Sequence, residues 1–188
     1  MGGIAGLIGE RTGDETAPLL TLAHRGPDDA GWIVHGAHST APRFHSVLLH
    51  RRLSVLDLTE AGHQPMASPT GAYTIVSSGV IFNYRELREE LRALGCQFTT
   101  QTDTEVLLQA YMRWGAACLP RLVGMFAFAI EDLYRGTIFL ARDCFGIKPL
   151  YYARTPGVFA FASEIKALLE WRPVARAIEP QRLYGYLR

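Results

Sequence analysis

Thiols and imidazoles are the side chains best suited to nucleophilic or metal chemistry, and this sequence groups neither. Cys96, Cys118 and Cys144 are odd in number and widely spaced, with no Cys-x-x-Cys pair. They read as free thiols in a reducing compartment, not as a disulfide framework or a zinc site. His24, His35, His38, His45, His50 and His63 are scattered over turns and strands without metal-ligand spacing, so no metal is expected. His35 and His38 stand three apart, but Gly36 and Ser39 beside them mark both as loop residues. A more ordered signal is Thr102-Asp103-Thr104-Glu105. Thr102 followed three residues later by Glu105 is a capping box, which places Asp103 in the first turn of a helix. Met1-Gly2-Gly3 has the glycine of a myristoylation signal, but Gly6 stands where Ser or Thr is required.

The elements that would carry these residues alternate in texture. Gly3–Ile8 is small and apolar, suited to a buried strand. A short helix is predicted over Glu15–Ala23, followed by the turn His24-Arg25-Gly26-Pro27-Asp28-Asp29. Ala30–His35, Val47–Arg52 and Tyr73–Ser77 read as strands, with a weakly structured connection over Asp57–Thr70. Leu87, Leu91 and Leu94 give Tyr84–Leu94 a helical period. Val106, Leu107, Ala110 and Tyr111 give the next helix its apolar side. After Pro120 the pattern changes to hairpins: Met125–Glu131, Thr137–Arg142, Leu150–Ala153 and Val158–Ala162, with a closing helix Glu164–Leu169. Strands, two central helices and more strands indicate an α+β fold. The sequence contains no internal repeat, low-complexity tract or flexible linker.

At 188 residues the chain fits one domain, 1–188, long enough to bury roughly 70% of its unfolded surface. Nineteen basic residues against 18 acidic ones leave no electrostatic footprint for nucleic acid or an anionic membrane. No apolar run approaches the ~20 residues of a membrane span, and no charged segment precedes a secretory core. The expectation from composition is a cytoplasmic domain.

Five stretches carry a specific resemblance when taken in order: His24-Arg25-Gly26-Pro27-Asp28, His50-Arg51-Arg52-Leu53-Ser54, Gly124-Met125-Phe126-Ala127-Phe128-Ala129, the run Arg142 to Tyr152 containing Phe145-Gly146-Ile147-Lys148-Pro149, and Ala162-Ser163-Glu164-Ile165-Lys166. Together they resemble the class II glutamine amidotransferase domain of glutamine-dependent asparagine synthetases. The resemblance implies the four-layer αββα sandwich of N-terminal-nucleophile hydrolases. It also implies a start Met-Cys-Gly-Ile, from which Met is removed to expose a thiol that attacks the glutamine amide, with the α-amine as base. Released ammonia would pass to an ATP-using synthetase domain.

Against that pattern this chain reads Met1-Gly2-Gly3-Ile4, with Gly2 in the nucleophile position, and glycine has no side chain to activate. The family's Asn-Gly-Glu is Ser78-Gly79-Val80 here. Ser78 replaces an oxyanion donor with a shorter hydroxyl, Gly79 keeps the main-chain donor, and Val80 replaces a carboxylate. Arg52 matches the arginine that grips the substrate α-carboxylate, and Asp103 the aspartate that pairs with its α-amine. The alternative for both is pairing with each other or with neighbours. Arg142-Asp143 and Lys148 are expected to hold hairpins together and not to act chemically.

The resulting expectation is a glutaminase domain without glutaminase activity, cut from a larger amide ligase. Its partner would be a C-terminal ATP-dependent synthetase domain. No cofactor belongs to 1–188; ATP and Mg belong to that absent domain, whose Ser-Gly-Gly-x-Asp-Ser loop does not occur here. Retained binding of glutamine or a small anion stays open, as does a homodimer. Two alternatives are a non-catalytic assembly module and the N-terminal domain of a β-lactam-synthetase-like ligase that uses no glutamine.

Overall fold

Ile4 and Ile8 leave the first strand on one side and Ala5 and Leu7 on the other, and both sides meet apolar partners. That double burial explains why Gly3–Ile8 has no polar residue: it is a central strand of a sandwich. The computed structural model describes residues 2–36, 45–177 and 180–187. In chain order the elements are β1 (Gly3–Gly9), α1 (Pro18–Thr21), β2 (Asp29–His35), β3 (Ser46–Arg52), β4 (Met66–Ala67), β5 (Tyr73–Ile81), α2 (Tyr84–Ala93) and α3 (Asp103–Trp114). They continue with β6 (Gly124–Asp132), β7 (Thr137–Arg142), β8 (Tyr151–Thr155), β9 (Val158–Ala162), α4 (Ile165–Leu168) and α5 (Pro180–Tyr186).

Two antiparallel sheets form, in the orders β2-β3-β1-β9-β8 and β4-β5-β6-β7. Ile4, Leu48 and Phe161 of the first sheet pack against Val76, Ala127 and Ala129 of the second. The outer face of the first sheet, with Ala5, Leu7, Val47 and Ala160, is covered by Leu19, Leu22, Leu168 and Trp171 around α1 and α4. On the far side, Leu87 and Leu91 of α2 and Val106, Leu107 and Ala110 of α3 cover Ile75, Phe126, Phe128 and Ile130. Helix, sheet, sheet, helix is the four-layer αββα sandwich.

One polar cluster rivets the two sheets together. His35 and Ser46 are register partners at the end of β2 and β3. Both reach the fully buried Glu131 of β6: Ser46 Oγ donates to one carboxylate oxygen and His35 Nδ1 lies 2.7 Å from the other. His35 is therefore the last residue of a strand, not a loop residue, because Glu131 supplies a partner from the opposite sheet. His38 lies outside the described residues.

Three elements differ from the expected pattern. The helix placed over Glu15–Ala23 is shorter, starting at Pro18 and tightening into a 3-10 turn over Ala23–Arg25. β5 continues to Ile81, because β6 pairs with it all the way to Ile81↔Gly124. α5 was not signalled by any apolar period.

Candidate functional site

The ends of β1, β3 and β5 and the start of α3 converge on a cavity of about 150 Å³. Gly2, Arg52, Ser78, Gly79, Val80 and Asp103, separated by up to a hundred residues in sequence, all line it. β1 lies beside β3 in one sheet, and the facing strand β5 brings residues 78–80 across the sandwich.

Residue 2 is held by its main chain. Its carbonyl accepts Ser78 Oγ at 2.7 Å and Arg25 Nε at 3.3 Å. Arg25 is fixed in turn by Glu164 at 3.1 Å. The turn carrying Arg25 can approach because a side chain on Gly26 would stand 2.4 Å from the Arg51 carbonyl carbon. The first and last of the sequence signatures, around Arg25 and Glu164, thus form the seat of Gly2. A Cβ on Gly2 would sit 2.8 Å from the Arg51 carbonyl oxygen and 3.3 Å from His50 Nε2.

The wall opposite is the free edge of β5. Ser77 N–H donates to Gln64 Oε1 at 2.6 Å, and Ser77 O accepts from His50 Nε2 at 3.1 Å. Four residues on, Ile81 N–H donates to Asp103 Oδ2 at 2.9 Å. Main-chain groups alternate between strand edges with period two, so Gly79 between them turns its N–H and C=O to the same edge. β4 covers only Thr74 and Ile75, which leaves this stretch facing the cavity. Gly79 has φ of 142°, and a Cβ there would meet Met125 O at 2.0 Å, so only glycine fits.

Arg52 and Asp103 do not pair with each other. Arg52 Nη1 donates to Thr59 O at 2.7 Å and Nη2 to Asp57 O, with the guanidinium packed where Gly62 has no side chain. It clamps the loop 53–62 over the cavity. Asp103 begins α3, where the expected capping box forms by one arm: Thr102 Oγ1 accepts Glu105 N–H at 3.1 Å. The Glu105 carboxylate instead takes the N–H groups of Thr99 and Thr100, and Thr102 N–H goes to Thr100 Oγ1. Arg88, buried on α2, holds the preceding loop by donating to Thr100 O at 2.6 Å and Thr102 O at 2.9 Å. Burial raises the Asp103 carboxyl above the usual range, against the main-chain hydrogen bonds that lower it. Burial also pushes His50 down to about 3, so the ring is neutral, with Nε2–H pointing at Ser77.

Three lining residues had no role at the site in the sequence reading. His50 lies inside a quoted signature, two residues from Arg52 on the same side of β3, a strand-period signal that was available. Gln64 bridges Ser77 to Thr104 Oγ1 (3.2 Å), which nothing in its neighbourhood announced. Lys148, expected to hold a hairpin, is 1% exposed and lines the cavity. The hairpin is held as expected by Asp143, which accepts N–H groups of Ile147, Lys148 and Phe126, and by Arg142, which donates to Gly146 O at 2.7 Å. Of the cysteines, Cys118 is buried, Cys96 half-buried and Cys144 exposed, and none lines the cavity. Among the described residues no group of histidine, cysteine and carboxylate side chains could hold a metal ion, and no helix is long and apolar enough to cross a membrane.

A four-layer sandwich with this cavity at the head of a central N-terminal strand defines an N-terminal-nucleophile hydrolase fold. The chain belongs to the family of glutamine amidotransferase domains, whose sequence pattern matches residues 1–188. It is 46% identical over 151 residues to "Asparagine synthetase [glutamine-hydrolyzing] 3" of Bacillus subtilis (strain 168), covering 79% of this chain and 23% of that protein. It is 42% identical over 177 residues to a "Putative asparagine synthetase [glutamine-hydrolyzing]" of Mycobacterium tuberculosis, covering 88% and 26%. The chain thus spans about a quarter of the length of these relatives. Among solved structures it resembles a glutamine phosphoribosylpyrophosphate amidotransferase from B. subtilis complexed with ADP and GMP. There the TM-score is 0.73 and the identity 22%, over 95% of this chain and 45% of that one.

Proposed function

We propose that this glutamine amidotransferase domain is a non-hydrolysing member of its family, the N-terminal part of an asparagine-synthetase-like amide ligase. The observation that carries this reading is residue 2. It has no side chain, its carbonyl takes the Ser78 hydroxyl, and no cysteine lines the cavity. An acyl-transfer cycle on glutamine needs a nucleophile and two donors at the developing oxyanion. Gly79 offers one donor from the strand edge, while Ser78 is committed to Gly2. Arg52 and Asp103 remain as groups able to address an amino acid's carboxylate and amine, so glutamine binding without turnover is part of the proposal. The partner is an ATP-dependent synthetase domain, which the relatives' fourfold greater length favours. A ligase of this kind draws its nitrogen from free ammonia or from an amine already in its substrate.

The test is covalent. A diazo-ketone analogue of glutamine alkylates a nucleophile that the site activates. Incubated with the protein and analysed by peptide mass spectrometry, it should leave residues 1–11 unmodified. An adduct within that segment would overturn the reading.

A further inference from the structure

Five buried side-chain atoms meet no hydrogen-bond partner among the described residues: Thr12 Oγ1, His45 Nδ1, His50 Nδ1, Arg51 Nε and Arg88 Nε. Of these five residues, His50 is the one that lines the cavity. A bare polar atom in a buried wall has lost its water without replacement, so it marks a place for a ligand group. What that group must be follows from the tautomer of the ring.

His50 stands two residues after Leu48 on β3, so both side chains turn to the inside of the sandwich, where Leu48 packs against the second sheet. Ser77 O, 3.1 Å from Nε2, can only accept, which puts the ring proton on Nε2. Nδ1 is then a lone pair with no proton to give. The residue is 3% exposed, and burial holds its pKa at about 3. Ser77 O and the Asp29 carboxylate favour the charged ring, while Arg52 and His63 oppose it. Near neutral pH, Nδ1 accepts and cannot donate.

The ring also stands at the reacting end of the cavity. The point a Cβ would occupy on Gly2 is 3.3 Å from His50 Nε2 and 3.9 Å from Cε1. That edge of the imidazole faces residue 2, and Nδ1 is the next atom round from Cε1. Arg52 and Asp103, the groups able to address an amino acid's carboxylate and amine, line the same cavity. For a glutamine held by them, the carboxamide is the part left for Gly2 and His50.

We propose that His50 Nδ1 accepts an N–H from the side-chain amide of a bound amino acid, and so selects a carboxamide over a carboxylate. The assignment rests on glutamine binding as proposed above, and adds the residue that tells glutamine from glutamate. A carboxamide brings two N–H donors, one of which satisfies the bare nitrogen. A carboxylate brings only lone pairs, so two acceptors would face each other in a buried site with no proton between them. A site whose buried polar group is left unpaired by the wrong ligand rejects that ligand strongly.

The test measures binding to the purified protein by calorimetry for glutamine, glutamate and glutamate γ-methyl ester. The ester has an uncharged side chain but no N–H, which separates a missing donor from a repelled charge. Glutamate and the ester should both bind roughly 10–100-fold more weakly than glutamine. His50→Phe removes the acceptor and keeps a ring, and should bring the three affinities together. Equal weakening of all three would mean a merely structural role and overturn the proposal. A second arm reads the parent protein itself, with its histidines labelled with nitrogen-15. The unprotonated Nδ1 resonance of His50 should move upfield with glutamine and stay in place with the ester. An ester bound as tightly as glutamine, or an unmoved Nδ1 in glutamine-saturated protein, would overturn the assignment to His50 and leave glutamine binding intact. No binding of glutamine at all would overturn both.

Discussion

The hydroxyl of Ser78 lies 2.7 Å from the carbonyl oxygen of Gly2, seventy-six residues away, and, on the proposed reading of this wall as an oxyanion site, commits it instead to clamping the N-terminal strand. A serine can serve one of those tasks at a time. Asparagine at 78 would reach beyond the clamp. The triple change Gly2→Cys, Ser78→Asn and Val80→Glu is therefore expected to give measurable glutamine hydrolysis, and Gly2→Cys alone far less. A Cβ at residue 2 would stand 2.8 Å from Arg51 O, so the main chain must yield by a few tenths of an ångström in either variant. Glutamate release, with removal of Met1 verified by intact mass, compares the two. Equal inactivity with a free N-terminal cysteine would mean that the supporting shell is lost as well.

Arg52 acts on the loop 53–62 through two carbonyls. Arg52→Met should cost about 3 kcal/mol or more, since each of its two hydrogen bonds comes from a charged donor and is worth ~1.5–3 kcal/mol. Amide exchange should rise across 53–62 while the α2 and α3 amides change little. Arg52→Lys should recover only part of this, because an ammonium cannot span both carbonyls with a planar fork. Uniform exchange along the chain would show that the clamp is not local.

Stability should fall on acidification in two overlapping windows. His50 is held neutral by burial at about 3, against an ordinary value near 6.5, so the unfolded chain takes up its proton first. That loss runs from about pH 6.5 down to 3. Glu105 is pushed up by burial but pulled lower overall by the N–H and hydroxyl groups of Thr99 and Thr100. Its contribution is present above the unfolded glutamate pKa and disappears as pH falls through the lowered one. Asp103, raised by burial, works in the opposite direction. Thermal unfolding followed over pH should show His50→Gln with a flatter slope between pH 6.5 and 4 than the parent.

Glu131 supports the sandwich at the end far from the cavity. Glu131→Ala strands Ser46 and His35 and removes the rivet between sheets. A loss of about 3 kcal/mol is expected, in the range for breaking a buried pair by deleting one partner. Removing all three polar groups, as Glu131→Leu with Ser46→Ala and His35→Phe, should cost less than Glu131→Ala. Denaturant midpoints measure both.

The parts of this design that were readable in the sequence are those built from local rules. Thr102 and Glu105 announce the α3 cap, and with it the place of Asp103. The apolar run Gly3–Ile8 announces a strand buried on both faces. What the pattern could not carry is contact between distant polar groups. Nothing near Arg52 says that its guanidinium turns to Asp57 and Thr59. Nor does anything near Gln64 show that its amide replaces a missing strand beside Ser77. The sequence reading ends β5 at Ser77, yet pairing with β6 keeps it extended to Ile81. His35 looked like a loop residue until Glu131 arrived from the other sheet. In each case a tertiary partner overrides the local signal.

The central claim is that the cavity lacks the means to hydrolyse glutamine. The most direct measurement is glutamate formation from glutamine by the purified protein, followed by an enzyme-coupled assay against a buffer control. The account predicts no release above that control. Sustained release at an enzyme-like rate, persisting through a second purification and absent from an Asp103→Ala variant, would contradict it.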